Sequence, residues 1–161
     1  MKLKSLCLLL LLAGCPEEGE MNMTPDAAPL GPNFTSLYSN YLHECAECHA
    51  PGAPGRTSDI EQTLDFSTKT TAYMTLTTGM ATGLMGSRAG CNDVPFVDDM
   101  ASRSLILAVL DQPTRNAFDH PAFPDCDEAA ITDETAKTET TPSAAYITAL
   151  KGWLAAGAPN N

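Results

Sequence analysis

A chain of 161 residues is long enough for one domain with a single core, and a second domain of ordinary size is not expected. Its 9 basic and 20 acidic residues give a net charge of −11, which argues against nucleic acid, whose phosphates demand a basic face, and fits a basic or mixed-charge protein partner better. With only three histidines, a hydrolytic metal site or a nucleophile triad is poorly provided for.

Residues 1–14 read as an export signal. Lys2 and Lys4 precede an apolar run of eight, Leu6 to Ala13, far short of the roughly 20 residues that a spanning helix needs. The run ends in Leu12-Ala13-Gly14-Cys15, which resembles the lipobox of bacterial lipoproteins. That resemblance implies cleavage before Cys15 and a lipid on it, anchoring the exported protein to a bacterial membrane that faces the periplasm or the cell exterior. The other reading is a secretory cleavage without lipid. Loss of residues 1–14 removes two lysines and no acid, taking the charge from −11 to −13. Residues 15–32 then form an acidic, Pro-rich tether that spans on the order of 50 Å when extended. Such a tether either lets the domain swing between partners or only spaces it from the membrane.

The domain proper is expected over residues 33–161. Asn33 can cap a helix in which Phe34, Leu37, Tyr38, Tyr41, Leu42 and Cys45 share one apolar face. That helix leads into Cys45-Ala46-Glu47-Cys48-His49, the C-x-x-C-H signature by which a c-type haem is attached. Two thiols form thioether bonds to the porphyrin and the adjoining imidazole ligates the iron. If the motif is α-helical throughout, Cys48 lies about 60° to one side of Cys45 and His49 about 40° to the other, so all three share a side. His43 projects away from it and reads as a surface or capping residue. Pro51, Gly52, Pro54 and Gly55 force a turn directly after the motif.

Residues 57–90 are rich in Thr and Gly, with a weak helical patch around Thr70 to Leu76. Met74, Met80 and Met85 fall here; methionine sulfur is an axial haem ligand in some cytochromes, although each methionine is individually more often a packing residue. A better helix is expected from Ser102 to Leu110, with Leu105, Ile106, Val109 and Leu110 as its apolar part and Pro113 beyond its end. The stretch from Asp111 to Thr141 reads as a long polar loop carrying His120-Pro121 and Cys126. Of six cysteines, Cys7 leaves with the signal, Cys15 takes lipid, and Cys45 and Cys48 take haem. The remaining Cys91 and Cys126 are most simply a disulfide outside the cytoplasm, the alternative being two free buried thiols. A last helix is expected after a Thr141 cap and Pro142, with Tyr146, Leu150, Trp153 and Leu154 on one face and Gly157 as its stop.

An amphipathic helix entering Cys45-Ala46-Glu47-Cys48-His49, together with the closing Trp153-Leu154-Ala155-Ala156-Gly157-Ala158-Pro159, resembles the class I cytochrome c family, particularly the cytochrome-like domains of some bacterial lipoproteins. The resemblance implies a small all-α domain around one covalent haem c, with long loops and with the first and last helices crossing to support the haem. It also implies a Met-Pro pair before the last helix as the source of the sixth iron ligand. This chain has His120-Pro121 there instead, so His120 is the leading candidate for that position. Met80 or Met85, then Met100, or an open position are the alternatives.

Function follows from that choice. With two strong ligands the expected protein is a membrane-tethered electron carrier between redox partners outside the cytoplasm, not an enzyme. With an open position it is a peroxidase-like or gas-sensing haem domain. A haem-free, disulfide-bonded interaction module with Cys45 paired to Cys48 is a third reading.

Overall fold

The structure, a computed structural model, describes residues 30–53, 64–132 and 141–161. The signal segment, Cys15 and the tether up to residue 29 lie outside the described residues. Among the described residues the secondary structure is helical, with one isolated antiparallel bridge between Met80 and Pro95. The all-α expectation agrees with this. No described helix is long and apolar enough to cross a membrane.

Helix α1 spans Phe34–Asn40, and Asn33 caps it by accepting the Ser36 N–H at 2.8 Å. A helix leaves its first amides without internal partners. Here Asn161 takes two of them, accepting from Phe34 N on its side chain and from Thr35 N on its backbone, each at 2.9 Å. The apolar face does not continue as one α-helix into Cys45. Tyr41 leaves helical geometry (φ −157°), and residues Leu42–Glu47 form a 3₁₀ helix. The buried Tyr41 ring instead packs on Tyr146, centroid to centroid 5.0 Å, a tertiary contact that periodicity along the chain does not contain.

Helix α2, Lys69–Thr78, is better defined than its weak sequence pattern suggests, because Thr68 and Thr71 cap each other's backbone amides. Helix α3, Leu105–Leu110, starts later than expected. A 3₁₀ turn, Ala101–Arg103, precedes it, and Ser104 turns its hydroxyl to the Asp98 amide instead of capping the helix. The polar loop from Asp111 to Thr141 also holds more structure than expected: α4, Gln112–Asn116, and α5, Glu128–Thr132. Pro113 falls in the first turn of α4, where a missing N–H costs nothing, so it starts a helix as well as following one.

Helix α6, Ala144–Ala155, is capped by Ser143, which accepts Tyr146 N–H at 3.1 Å; the cap lies two residues past the expected Thr141. Its expected face is buried in full, with Trp153 and Leu150 completely enclosed. This face packs on α1: the Phe34 and Trp153 rings lie 5.3 Å apart, and Tyr146 donates its hydroxyl to Leu37 O at 3.3 Å. Gly152 allows the approach, since a Cβ there would sit 2.9 Å from the ring of Pro32. Gly157 (φ 81°) then turns the chain back, so that Trp153 Nε1 donates to Pro159 O at 2.9 Å and Tyr73 Oη to Ala158 O at 3.1 Å.

Cys91 and Cys126 are joined in a disulfide, as the cysteine inventory suggested. Both are buried, and Gly90 permits the approach, because a Cβ there would collide with the Asp125 carbonyl. The bond ties the segment before α5 to the 3₁₀ helix Gly86–Cys91.

Candidate functional site

The 3₁₀ helix that follows α1 carries the C-x-x-C-H motif and closes on itself. Cys45 O accepts from Cys48 N at 3.2 Å and from His49 N at 2.7 Å, which brings Cys45 and His49 to one edge of the turn. Ala53 N donates to Ala50 O at 3.0 Å and Gly52 takes φ 77°, forming the expected turn. His49 O then accepts from Phe66 N at 2.7 Å, which ties the motif to the chain leading into α2. His43 is exposed, with Nδ1 donating to Tyr38 O at 3.1 Å.

Cys45 and His49 border one apolar cleft of about 760 Å³ counted to its open mouth. Its walls are Leu64 and Phe66 beside the motif, Leu76 of α2, the loop of Ala81, Thr82 and Leu84, Phe96, and one side of α3. The half-burial of Ile106, Val109 and Leu110 has its reason here, because they face the cleft while Leu107 and Ala108 turn into the core. The His49 ring meets Phe66 edge-on at 6.0 Å. Cys48 is exposed and does not line the cleft, so two of the three motif side chains share it.

Burial, reinforced by the neighbouring Glu44 carboxylate, pushes the Cys45 thiol up to about 12, so it stays protonated at neutral pH. Burial and then the nearby Cys45 raise the Tyr146 hydroxyl well above its usual range. Cys45 and Cys48 are not bonded to each other. The cleft fits a haem in the chemistry of its donors: an imidazole and one thiol at the edge of an apolar wall, with a second thiol three residues along. Among the described residues no cluster of three or more His, Cys, Asp and Glu side chains is arranged to hold a metal ion.

The candidates for the sixth iron ligand lie elsewhere. His120 is buried and does not line the cleft; its Nε2 faces Asp98 Oδ2 at 3.1 Å, and its ring lies tilted against Phe123, centroids 5.0 Å apart. His120 Nδ1 is buried with no hydrogen-bond partner, an arrangement that costs on the order of 1–3 kcal/mol. Met80 and Met85 are exposed and flank the Ala81–Leu84 stretch of the wall, while Met74 and Met100 are exposed too. Sequence reading missed Asp98. It is one acid among 20 and carries no periodic signal, and only the fold sets it against Arg103 and His120.

No protein-family model, no curated protein and no solved structure matches this chain.

Proposed function

We propose that this protein is a membrane-tethered c-type cytochrome that carries single electrons between redox partner proteins outside the cytoplasm. One observation carries the proposal: Cys45 and His49 of the C-x-x-C-H motif meet at an apolar cleft bounded by α2 and α3. A haem c held there would supply one-electron cycling of its iron. Cys45 and Cys48 would hold the group through their sulfurs, and the His49 imidazole would ligate its iron. Phe66, Leu76, Phe96 and the cleft side of α3 exclude water, which favours the less charged state of the centre and limits rearrangement when an electron moves. Such a carrier needs no acid-base apparatus. The acidic balance of the chain suits a basic docking face on a partner, and the lipid expected on Cys15 keeps the domain at the membrane.

A second reading takes support from the cleft itself. Among the described residues of its walls, His49 is the only iron-ligating side chain apart from Cys45, and an open sixth position would bind peroxide or a diatomic gas. Carbon monoxide binding by the reduced protein separates the two readings. The experiment that tests both is expression with a cytochrome maturation system, followed by mass measurement and a haem assay on denatured protein. A mass heavier by one haem is expected, and a mass without it overturns the proposal.

A further inference from the structure

Residues 157–161 leave α6 and cross α2 and the start of α1. Gly157 (φ 81°) and Ala158 (φ 50°) are both left-handed, a region that the alanine side chain disfavours. Such a backbone persists only where its surroundings over-determine it, and here donors from three helices hold it. Trp153 of α6 donates Nε1 to Pro159 O at 2.9 Å, and Tyr73 of α2 donates its hydroxyl to Ala158 O at 3.1 Å. Asn161 accepts the first amides of α1, Phe34 N on Oδ1 and Thr35 N on its carbonyl, each at 2.9 Å. The Thr35 hydroxyl donates to the same carbonyl at 2.7 Å and accepts from Lys69 Nζ of α2 at 2.9 Å.

The segment therefore joins α1 to α2. Pro159 is half-buried and Asn160 and Asn161 are exposed, so of residues 158–161 only Ala158 has to leave the core when the segment lifts. The two helices it joins both serve the cleft. Leu76 of α2 lines it, and α1 runs through Tyr41 into the turn bearing Cys45 and His49, which line it too. Phe66, another wall residue, is held from both sides: its carbonyl accepts from Tyr38 Oη of α1 at 3.1 Å, and its amide donates to His49 O at 2.7 Å. Phe34 and Tyr73, both bonded to the closing segment, also meet ring edge to ring face at 5.2 Å.

We propose that residues 157–161 are a strap whose release lets α1 and α2 part and opens the cleft along Leu64 and Phe66. Entry to the cleft is then governed by a segment that does not line it. The strap concerns the site of the reading above and rests on that reading for the use of the cleft, not for the geometry of the strap.

Amide hydrogen exchange on the full chain, expressed with the cytochrome maturation system, tests it. In the wild type the amides of Phe34, Thr35, His49 and Phe66 should exchange through one opening, faster than the α6 core amide of Leu150. Exchange of His49 and Phe66 only together with Leu150 overturns the proposal, and this measurement needs no variant to fold. Asn161→Ala combined with Tyr73→Phe takes away one acceptor and one donor and leaves the ring of residue 73 in place. The pair should speed exchange of all four amides at least about tenfold, with Leu150 staying within about threefold. Faster exchange at Phe34 and Thr35 alone makes the segment a local helix cap and overturns the proposal. An equal rise at Leu150 marks loss of global stability and overturns it too. Haem content, read by mass on the same sample, reports on the cytochrome reading separately: a chain without haem whose four amides still open together keeps the strap and loses the carrier.

Discussion

Cys45 and Cys48 differ by three positions and by their surroundings: one thiol borders an apolar cleft, the other faces solvent. Both are expected to hold haem, so Cys45→Ala and Cys48→Ala should each keep the group through a single thioether. The double variant should release it on denaturation, which mass measurement reads directly. His49→Ala should retain the covalent attachment and shift the iron's absorption spectrum. Two carboxylates tie pH to stability. Asp98 is held below the usual range because the Met100 amide, Arg103 and His120 outweigh the effect of its burial, and Asp111 is too, because Lys151 at 2.8 Å and Thr114 at 2.5 Å outweigh the effect of its burial. A carboxyl depressed in the folded state contributes stability that is complete above its ordinary value of 3.8 and is lost as pH falls through the depressed one. Acid unfolding should therefore steepen below about pH 4. Asp98→Asn and Asp111→Asn should each flatten that acid limb in denaturant titrations repeated across pH.

Among the elements, α6 carries the most buried residues, and it packs on α1. Trp153 is fully enclosed, packs on Phe34 and donates to Pro159 O, which joins core and chain reversal in one side chain. Trp153→Ala should cost about 3–5 kcal/mol in urea unfolding. Ser143→Ala removes only a cap and should cost about 1 kcal/mol. Gly152 runs against helix propensity: alanine would gain roughly 1 kcal/mol of propensity, yet its Cβ would press on the ring of Pro32. A net loss of stability in Gly152→Ala is the expected outcome. Asn33, the apolar spacing of α1 and the apolar face of α6 were legible because each is a local pattern repeated over several residues. The break at Tyr41 was not, because its cause is a ring in α6 more than a hundred residues away.

For the molecule as a whole, the disulfide closes a loop with a sequence separation of 35, and on the chain-entropy model its removal should cost about 4 kcal/mol. Thermal unfolding of the Cys91→Ser, Cys126→Ser double variant checks this. If acidic residues steer a basic partner, the second-order electron-transfer rate should fall severalfold between about 10 and 200 mM salt. A flat salt dependence would count against such steering.

The sequence by itself determined the motif at Cys45 to His49, the pairing left to Cys91 and Cys126, and the two end helices. Each rests on residues adjacent in the chain, on repeated spacing or on a simple inventory. Only the tertiary structure decided that the motif opens onto a cleft walled by α2 and α3, that the exposed Cys48 does not line it, and that Asp98 meets His120. Those are relations between segments far apart in the chain, set by which surfaces pack together, and no local spacing encodes them.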